Sequence, residues 1–329
     1  MALAALISTI VVTSTHAQQK SEVSITRQPG ILYLPSHVME KQQLIEKEAA
    51  KLGVPNLKVT WASLSGGGAQ TDALLSGNVD IVNTGVGNLL LLWDRTKGGV
   101  KGIVANSALP LTLVTRNPNI RSVKDYTPND RIAVPTLKVS TQAILLQMAS
   151  EKTFGPDQTT KLDANTVQLG HPDAAIMMAN PQGEVTSHFA APPFQYFELK
   201  NVKDAHVVLS SPDIIGGPLT QSQFFTTTKF ADANPKVIEA IKAATFVAID
   251  FIKKNTPAAV EIYREVTKDK MSSEEILEML KQPGMMDWIA APQGTMKFAA
   301  HLHKVGTLKT MPAKWTDYYL PIAADLPGN

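Results

Sequence analysis

Apolar and polar positions along the first two-thirds of the chain alternate between a strand period and a helix period. Strand-like runs stand at residues 23–27, 57–62, 79–84, 100–107 and 111–115. Helical stretches lie between them at 35–52, with Ser36 expected as the N-cap, from the Ser65-Gly66-Gly67-Gly68 run to Ser76, and at 86–94. The rhythm then restarts with strands at 131–134, 166–169, 185–190, 205–210 and 221–227 and helices at 140–154 and 172–180. From Asn234 onward the pattern is nearly all helical, and Ile238, Ile241, Thr245, Ala248 and Ile252 recur at helical spacing as a core-facing stripe. The pairs Met177-Met178 and Met285-Met286 read as core packing. Strand-helix alternation of this kind predicts α/β sheets with helices on both faces.

One stretch is echoed. Residues 72–84 read helix, Ser76-Gly77-Asn78 turn, strand; residues 173–190 read helix, Gln182-Gly183-Glu184 turn, strand. Aligning Gly77 with Gly183 sets Val79 on Val185 and Thr84 on Ala190. Two such units about a hundred residues apart predict two lobes of related build, at a spacing too long for a solenoid.

Composition narrows the function classes. The chain has 329 residues, of which 44% are hydrophobic and 18% charged, enough for a sizeable core. Lys and Arg number 31 against 29 Asp and Glu, so no basic stripe for nucleic acid is expected. The densest basic segment, Lys253 to Lys270, is interleaved with Glu261, Glu265 and Asp269 and reads as a solvated helical face. There is no cysteine, which excludes disulfides, a thiolate nucleophile, Cys-based zinc sites and a lipid-modified Cys. Residues 2–12 are apolar and Thr15-His16-Ala17 resembles a small-x-small cleavage site, so residues 1–17 are expected to be a signal peptide cleaved after Ala17. The run is shorter than the roughly 20 residues of a membrane span, and no Lys or Arg precedes it, a departure from the usual signal. The expected location is the periplasm.

No enzyme motif is present: no G-x-S-x-G, no Walker A loop, no H-E-x-x-H. No catalytic residue, metal site or cofactor is expected. His301 and His303 are two apart on a helix and point to different faces. His37, His171 and His206 have no Ser, Cys or carboxylate at catalytic spacing. His188, near the end of the second echoed strand, either faces a pocket or is a hydrogen-bonded sheet histidine. More informative are the ends of the strands, because ligands of open α/β sheets bind beyond their carboxyl ends. Five such ends carry small or polar residues: Gln28-Pro29-Gly30, Ser65-Gly66, Thr84-Gly85, Ser140-Thr141-Gln142 and 190–194. Hydroxyls and helix N–H groups would converge there on a cleft.

These segments resemble a known family. The leader, the Gln28-Pro29-Gly30 loop, and Ala73-Leu74-Leu75-Ser76-Gly77-Asn78-Val79-Asp80-Ile81 followed by Thr84-Gly85 resemble the periplasmic substrate-binding proteins of ABC importers, in the nitrate/taurine/alkanesulfonate branch that also holds binders of thiamine-pyrimidine precursors. Arg131-Ile132-Ala133-Val134 leading into Ser140-Thr141-Gln142, and 190–194, are similar to its second-lobe segments. The resemblance implies a type II periplasmic-binding fold: two α/β lobes joined by a two-crossing hinge, lobe one at 18–113 and 219–329, lobe two at 114–218, with crossings near Leu113-Val114 and Pro218-Leu219. It implies ligand contacts at Gly30, Ile31, Ser65, Gly66, Thr84, Gly85, Val86, Ser140, Thr141, Gln142, Ala190, Pro192 and Pro193; His188 is added from its place in the echo. Where many members have an acidic or aromatic residue before the Pro, this chain has Ala190-Ala191-Pro192-Pro193, so the substrate does not transfer. Tyr33, Trp61 and Phe194 are candidates for a ring in the cleft, with core packing the competing role.

The expected function is capture of a small polar solute by hinge closure, with a sulfonate, carboxylate or nitrate-like anion suited to neutral donors and a neutral heterocycle left open. The expected partners are the solute and an inner-membrane ABC permease, with no nucleic acid, and the protein is expected to be a monomer. The alternatives are a ligand-presenting sensor, or an enzyme on the same fold acting on a pyrimidine precursor, which would need a Lys or a consumable His at the cleft.

Overall fold

The computed structural model describes residues 20–64 and 66–329. The expected signal peptide, 1–17, and the candidate Ser65 lie outside the described residues.

Among the described residues the strands form two five-stranded sheets. The first is built from β1 (Glu22–Arg27), β2 (Lys58–Ser63), β3 (Ile81–Thr84) and β4 (Val100–Ser107). Its helices are α1 (Leu34–Gln42), α2 (Leu44–Lys51), α3 (Gly67–Leu75) and α4 (Val86–Arg95). The second contains β5 (Thr112–Thr115), β6 (Arg131–Val134), β7 (Thr166–Gln168), β8 (Val185–Ala190) and β9 (His206–Ser210). Its helices are α5 (Thr141–Phe154), α6 (His171–Ala179), α7 (Phe194–Asn201) and α8 (Ser211–Ile215). A last strand, β10 (Ser222–Thr227), returns to the first sheet.

The two sheets have the same plan. The first runs β2-β1-β3-β10-β4 and the second β7-β6-β8-β5-β9. In each, three parallel strands are followed by one antiparallel strand: β10 against β3, and β5 against β8. The echoed strands are β3 and β8, which hold the same place. Each antiparallel strand enters its sheet directly after the chain has crossed from the other one. The crossings lie between Ser107 and Thr112 and between Ser210 and Ser222, and they are stitched together: Gln221 N–H donates to Ser107 O at 2.8 Å, and Ser211 N–H to Leu111 O at 2.8 Å. Leu113 and Val114 are already paired with β8 and β9, so the first crossing precedes them.

Two local expectations are corrected. The 35–52 stretch is two helices, because Gln43 takes the left-handed conformation (φ 52°) between them. A 3-10 turn, Ile31–Tyr33, leads into α1, so Ser36 lies inside the helix and donates to Tyr33 O instead of capping it. The C-terminal third holds α9 (Thr228–Ala233), α10 (Pro235–Lys254), α11 (Thr256–Thr267), α12 (Ser273–Leu280) and α13 (Thr295–Lys304). After α13 the chain is not α-helical: Pro312, Pro321 and Pro327 interrupt any longer helix, and only 3-10 turns form. That tail locks onto the first sheet. Leu320 N–H donates to Gly102 O at 2.7 Å, and the Tyr319 ring fills the space beside Gly102, where a Cβ would come within 2.6 Å of it. The stripe on α10 is buried as expected and packs on α1, α2 and β4. No helix of the described residues is long and apolar enough to cross a membrane.

Candidate functional site

The carboxyl ends of the parallel strands of both sheets meet across a small cavity of about 30 Å³. By the same measure one water needs roughly 10–15 Å³, so the space suits a small polyatomic solute or a few waters. Four helices begin on its wall: α3 at Gly67, α4 behind its cap Gly85, α5 at Ser140 and Thr141, and α6 at His171. Their first-turn N–H groups have no partner within the helix, and their macrodipoles favour negative charge at that end. Among the described residues, no Lys, Arg, Asp or Glu lines the cavity.

The first-lobe wall is held by Gln28. Its amide nitrogen donates to Tyr33 Oη at 2.7 Å, Thr84 Oγ1 at 3.1 Å and Asn83 O at 3.2 Å, and its oxygen accepts the Gly66 N–H at 3.2 Å. One side chain thus ties the ends of β1 and β3 to the loop after β2. Burial pushes the Tyr33 phenol well above its ordinary range, so it stays neutral. From the second lobe, Ser140 Oγ caps α5 by accepting the Ala143 N–H at 3.3 Å. Two further wall groups are unsatisfied: Thr141 Oγ1 and Gln221 Nε2 are buried, each residue 4% exposed, without a hydrogen-bond partner among the described residues. Buried polar atoms are normally paired, so these two are ready to bind something.

The lobes touch around the cavity. Ile31 N–H donates to Pro192 O at 3.2 Å. A Cβ at Gly85 would lie 2.6 Å from Thr141 Oγ1 across the cleft, and one at Gly87 would lie 2.6 Å from Val139 O, so only glycine allows this approach.

Of the residues expected from sequence, Thr84, Gly85, Ser140, Thr141 and Gln142 line the cavity. Gly30, Ile31, Pro192 and Pro193 are not among its lining residues; Gly30 and Ile31 lie against Pro192 O instead. Gly66 bonds to Gln28, Val86 is buried in the first turn of α4, and Ala190 pairs with Thr112. His188 does not line the cavity; it is fully buried one layer back, with Nε2 2.8 Å from His171 Nδ1 and Nδ1 2.6 Å from Glu198 Oε1. His171 is the histidine on the wall, stacked on Phe194 at 5.6 Å. Of the ring candidates, Tyr33 is on the wall and Phe194 backs His171, while Trp61 lies on β2 away from it.

His171, which from sequence has no catalytic partner at the right spacing, lies on the wall, as do Asn88 and Gln221, which the strand-end pattern does not single out. The signal for His171 was present: Gly170-His171-Pro172 follows β7 as the other loops follow their strands. Gln221 was not visible that way, because it precedes an antiparallel strand whose start, not its end, faces the cleft. Away from the cavity, His301 Nδ1 lies 3.3 Å from Glu151 and His303 bonds Leu308 O. No group of three or more metal-ligating side chains occurs among the described residues.

No protein-family model matches the chain, and no curated protein matches it by sequence. Solved structures do resemble it. The alkanesulfonate-binding protein SsuA from Xanthomonas axonopodis pv. citri, bound to MOPS, superposes with a TM-score of 0.70 at 15% identity, covering 90% of this chain and 96% of that one. The periplasmic aliphatic sulphonate binding protein SsuA from Escherichia coli gives 0.66 at 18% identity, covering 92% and 99%. The periplasmic nitrate-binding protein NrtA from Synechocystis PCC 6803 gives 0.67 at 14% identity, covering 90% and 84%. At these identities the likeness shows the fold: this chain has the periplasmic binding protein fold of two α/β lobes.

Proposed function

We propose that the protein is the solute-binding component of an ABC uptake system, exported to the periplasm, and that it captures a small anion of the sulfonate, carboxylate or nitrate type between its lobes. The carrying observation is the cavity wall: four helix N-termini, neutral hydroxyls and amides, and the two unpaired buried groups Thr141 Oγ1 and Gln221 Nε2. Such a wall offers many donors and no fixed charge, which suits an anion whose charge is spread over several oxygens. The sulfonate- and nitrate-binding neighbours support the same ligand class. We read the role as binding rather than catalysis: the cavity lining has no Lys or carboxylate, and its histidine, His171, is engaged by Gln142 and His188.

The hinge consists of the crossings at 108–111 and 211–221. The solute favours the closed arrangement only by its differential affinity for the two arrangements. The closed form then docks on a membrane permease.

Thermal unfolding against a panel of small solutes tests this reading. At about a hundred times its dissociation constant, a true ligand adds about 2.7 kcal/mol of stability. One class of oxyanion is expected to raise the melting temperature. A refolded, ligand-free sample that responds only to cations or neutral solutes contradicts the assignment.

A further inference from the structure

Behind the cavity wall runs a line of titratable side chains that solute capture by hydroxyls and amides does not use. On the cavity side, His171 Nε2 lies 3.2 Å from Gln142 Nε2, so either the Gln142 NH₂ donates to a bare Nε2 or the amide turns over to accept from an Nε2–H. Behind it the line continues through His171 Nδ1 to His188 Nε2 at 2.8 Å, and through His188 Nδ1 to Glu198 Oε1 at 2.6 Å. His188 and Glu198 are fully buried, and the second carboxyl oxygen, Glu198 Oε2, has no partner among the described residues. Among the described residues no Lys or Arg forms an ion pair with this carboxyl. β5 carries no titratable residue, β8 contributes only His188, and α6 contributes only His171, its Asp173 being exposed. Arg131 of β6 turns to the Pro128 carbonyl, and Lys200 of α7 pairs outward with Glu275.

We propose that Glu198, His188 and His171 form one net-neutral positioning unit that fixes His171 as an Nε2–H donor at the cavity and thereby selects a hydrogen-bond-accepting oxyanion. The geometry gives this result wherever the shared proton sits. With the proton on Glu198, the carboxyl O–H donates to His188 Nδ1, His188 Nε2–H to His171 Nδ1, and the His171 proton is left on Nε2. With the proton on His188, its Nδ1–H donates to the carboxylate and its Nε2–H still donates to His171 Nδ1, so His171 again keeps Nε2–H. In this state the Gln142 amide is turned over from the orientation that sets its Nε2 against His171 Nε2, so that its oxygen accepts the His171 Nε2–H and its NH₂ faces the solute. Only loss of the shared proton reverses every bond: His171 moves its proton to Nδ1, and Gln142 donates inward and shows its oxygen to the cavity. A bare carboxylate there would have one oxygen unpartnered and no countercharge, which burial strongly disfavours. Burial also lifts the Glu198 carboxyl well above its usual range and holds both imidazoles well below theirs.

This inference rests on the solute-binding reading for its ligand but not for its first test. Nitrogen-15 NMR of the histidine rings in the ligand-free protein, assigned with His171→Gln, reads the tautomer directly. The expected result at pH 7 is His171 protonated on Nε2 and bare on Nδ1; the opposite tautomer overturns the proposal, whatever binds in the cleft. The second test titrates nitrate and methanesulfonate between pH 6 and 9. Affinity of the natural protein is expected to fall up to tenfold per pH unit once the shared proton is lost. In Glu198→Gln, which has no such proton, it is expected to stay flat. Equal pH slopes in the two proteins overturn the linkage. If neither anion binds at any pH while the NMR tautomer is as expected, the anion assignment fails and the positioning unit stands.

Discussion

The cavity is decided by a few atoms. Thr141 Oγ1 and Gln221 Nε2 pay desolvation with no partner, and a hydrogen bond to a solute would recover it. Thr141→Val keeps the shape and removes the hydroxyl. Calorimetric titration with the identified solute is expected to show a loss of about 1–2 kcal/mol in binding, with the melting temperature unchanged or raised. A lowered melting temperature with full affinity would place the hydroxyl's role in folding instead. His37 makes a separate prediction about pH. It is fully buried beside the Tyr263 ring, and burial, reinforced by the Arg27 charge, lowers its pKa to about 3. A lowered histidine pKa contributes stability above the unfolded value near 6.5 and loses it as pH falls toward 3. At pH 5 the loss attributable to His37 is about 2 kcal/mol. Urea unfolding at pH 7 and pH 5 is expected to show His37→Phe losing that much less than the natural protein. At this scale the sequence was partly legible: Thr84, Gly85 and the Ser140-Thr141-Gln142 run announce themselves as small polar residues after strands, whereas Gln28's threefold tie and the His188–Glu198 contact depend on side chains from separate elements.

Elements follow from local pattern where the pattern is uninterrupted. The α5 start at Ser140 is such a case, because its hydroxyl accepts the Ala143 N–H and the apolar run begins at once. Ser140→Ala is expected to destabilise the protein by about 1 kcal/mol through the lost cap, measured as a shift in denaturant midpoint, and to weaken binding at the proposed solute site. On α10 the buried stripe carries more. Ile241→Ala leaves a cavity among α1, α2 and β4 and is expected to cost about 2–5 kcal/mol. A change below 1 kcal/mol would mean that α10 is not packed as described. Where tertiary contacts override propensity, the pattern misled: Gln43 breaks one apparent helix in two, and the proline-punctuated tail after α13 gains its structure from Tyr319 against Gly102 rather than from any local preference.

For the whole molecule, the two-lobe plan was legible because the same helix-turn-strand unit occurs twice, and β3 and β8 hold equivalent positions. The exact crossings were not, since a strand that leaves one sheet and completes the other carries no composition signal at the boundary. The lobes meet through Ile31 and Pro192, through Gly85 and Gly87, and through the ion pairs Lys200–Glu275 and Lys304–Glu151 at the rim. Exposed ion pairs contribute about 0–1 kcal/mol each, so on the proposed function closure would depend on the solute rather than on them. The most direct measurement is equilibrium binding of small oxyanions to refolded protein, side by side with Gly85→Leu, whose side chain would press on Thr141 and hold the two walls of the cavity apart. One anion class is expected to bind the natural protein at one per molecule and to be lost in Gly85→Leu, with both proteins folded. Equal binding by the two would put the solute elsewhere and contradict the cleft between the lobes as the site.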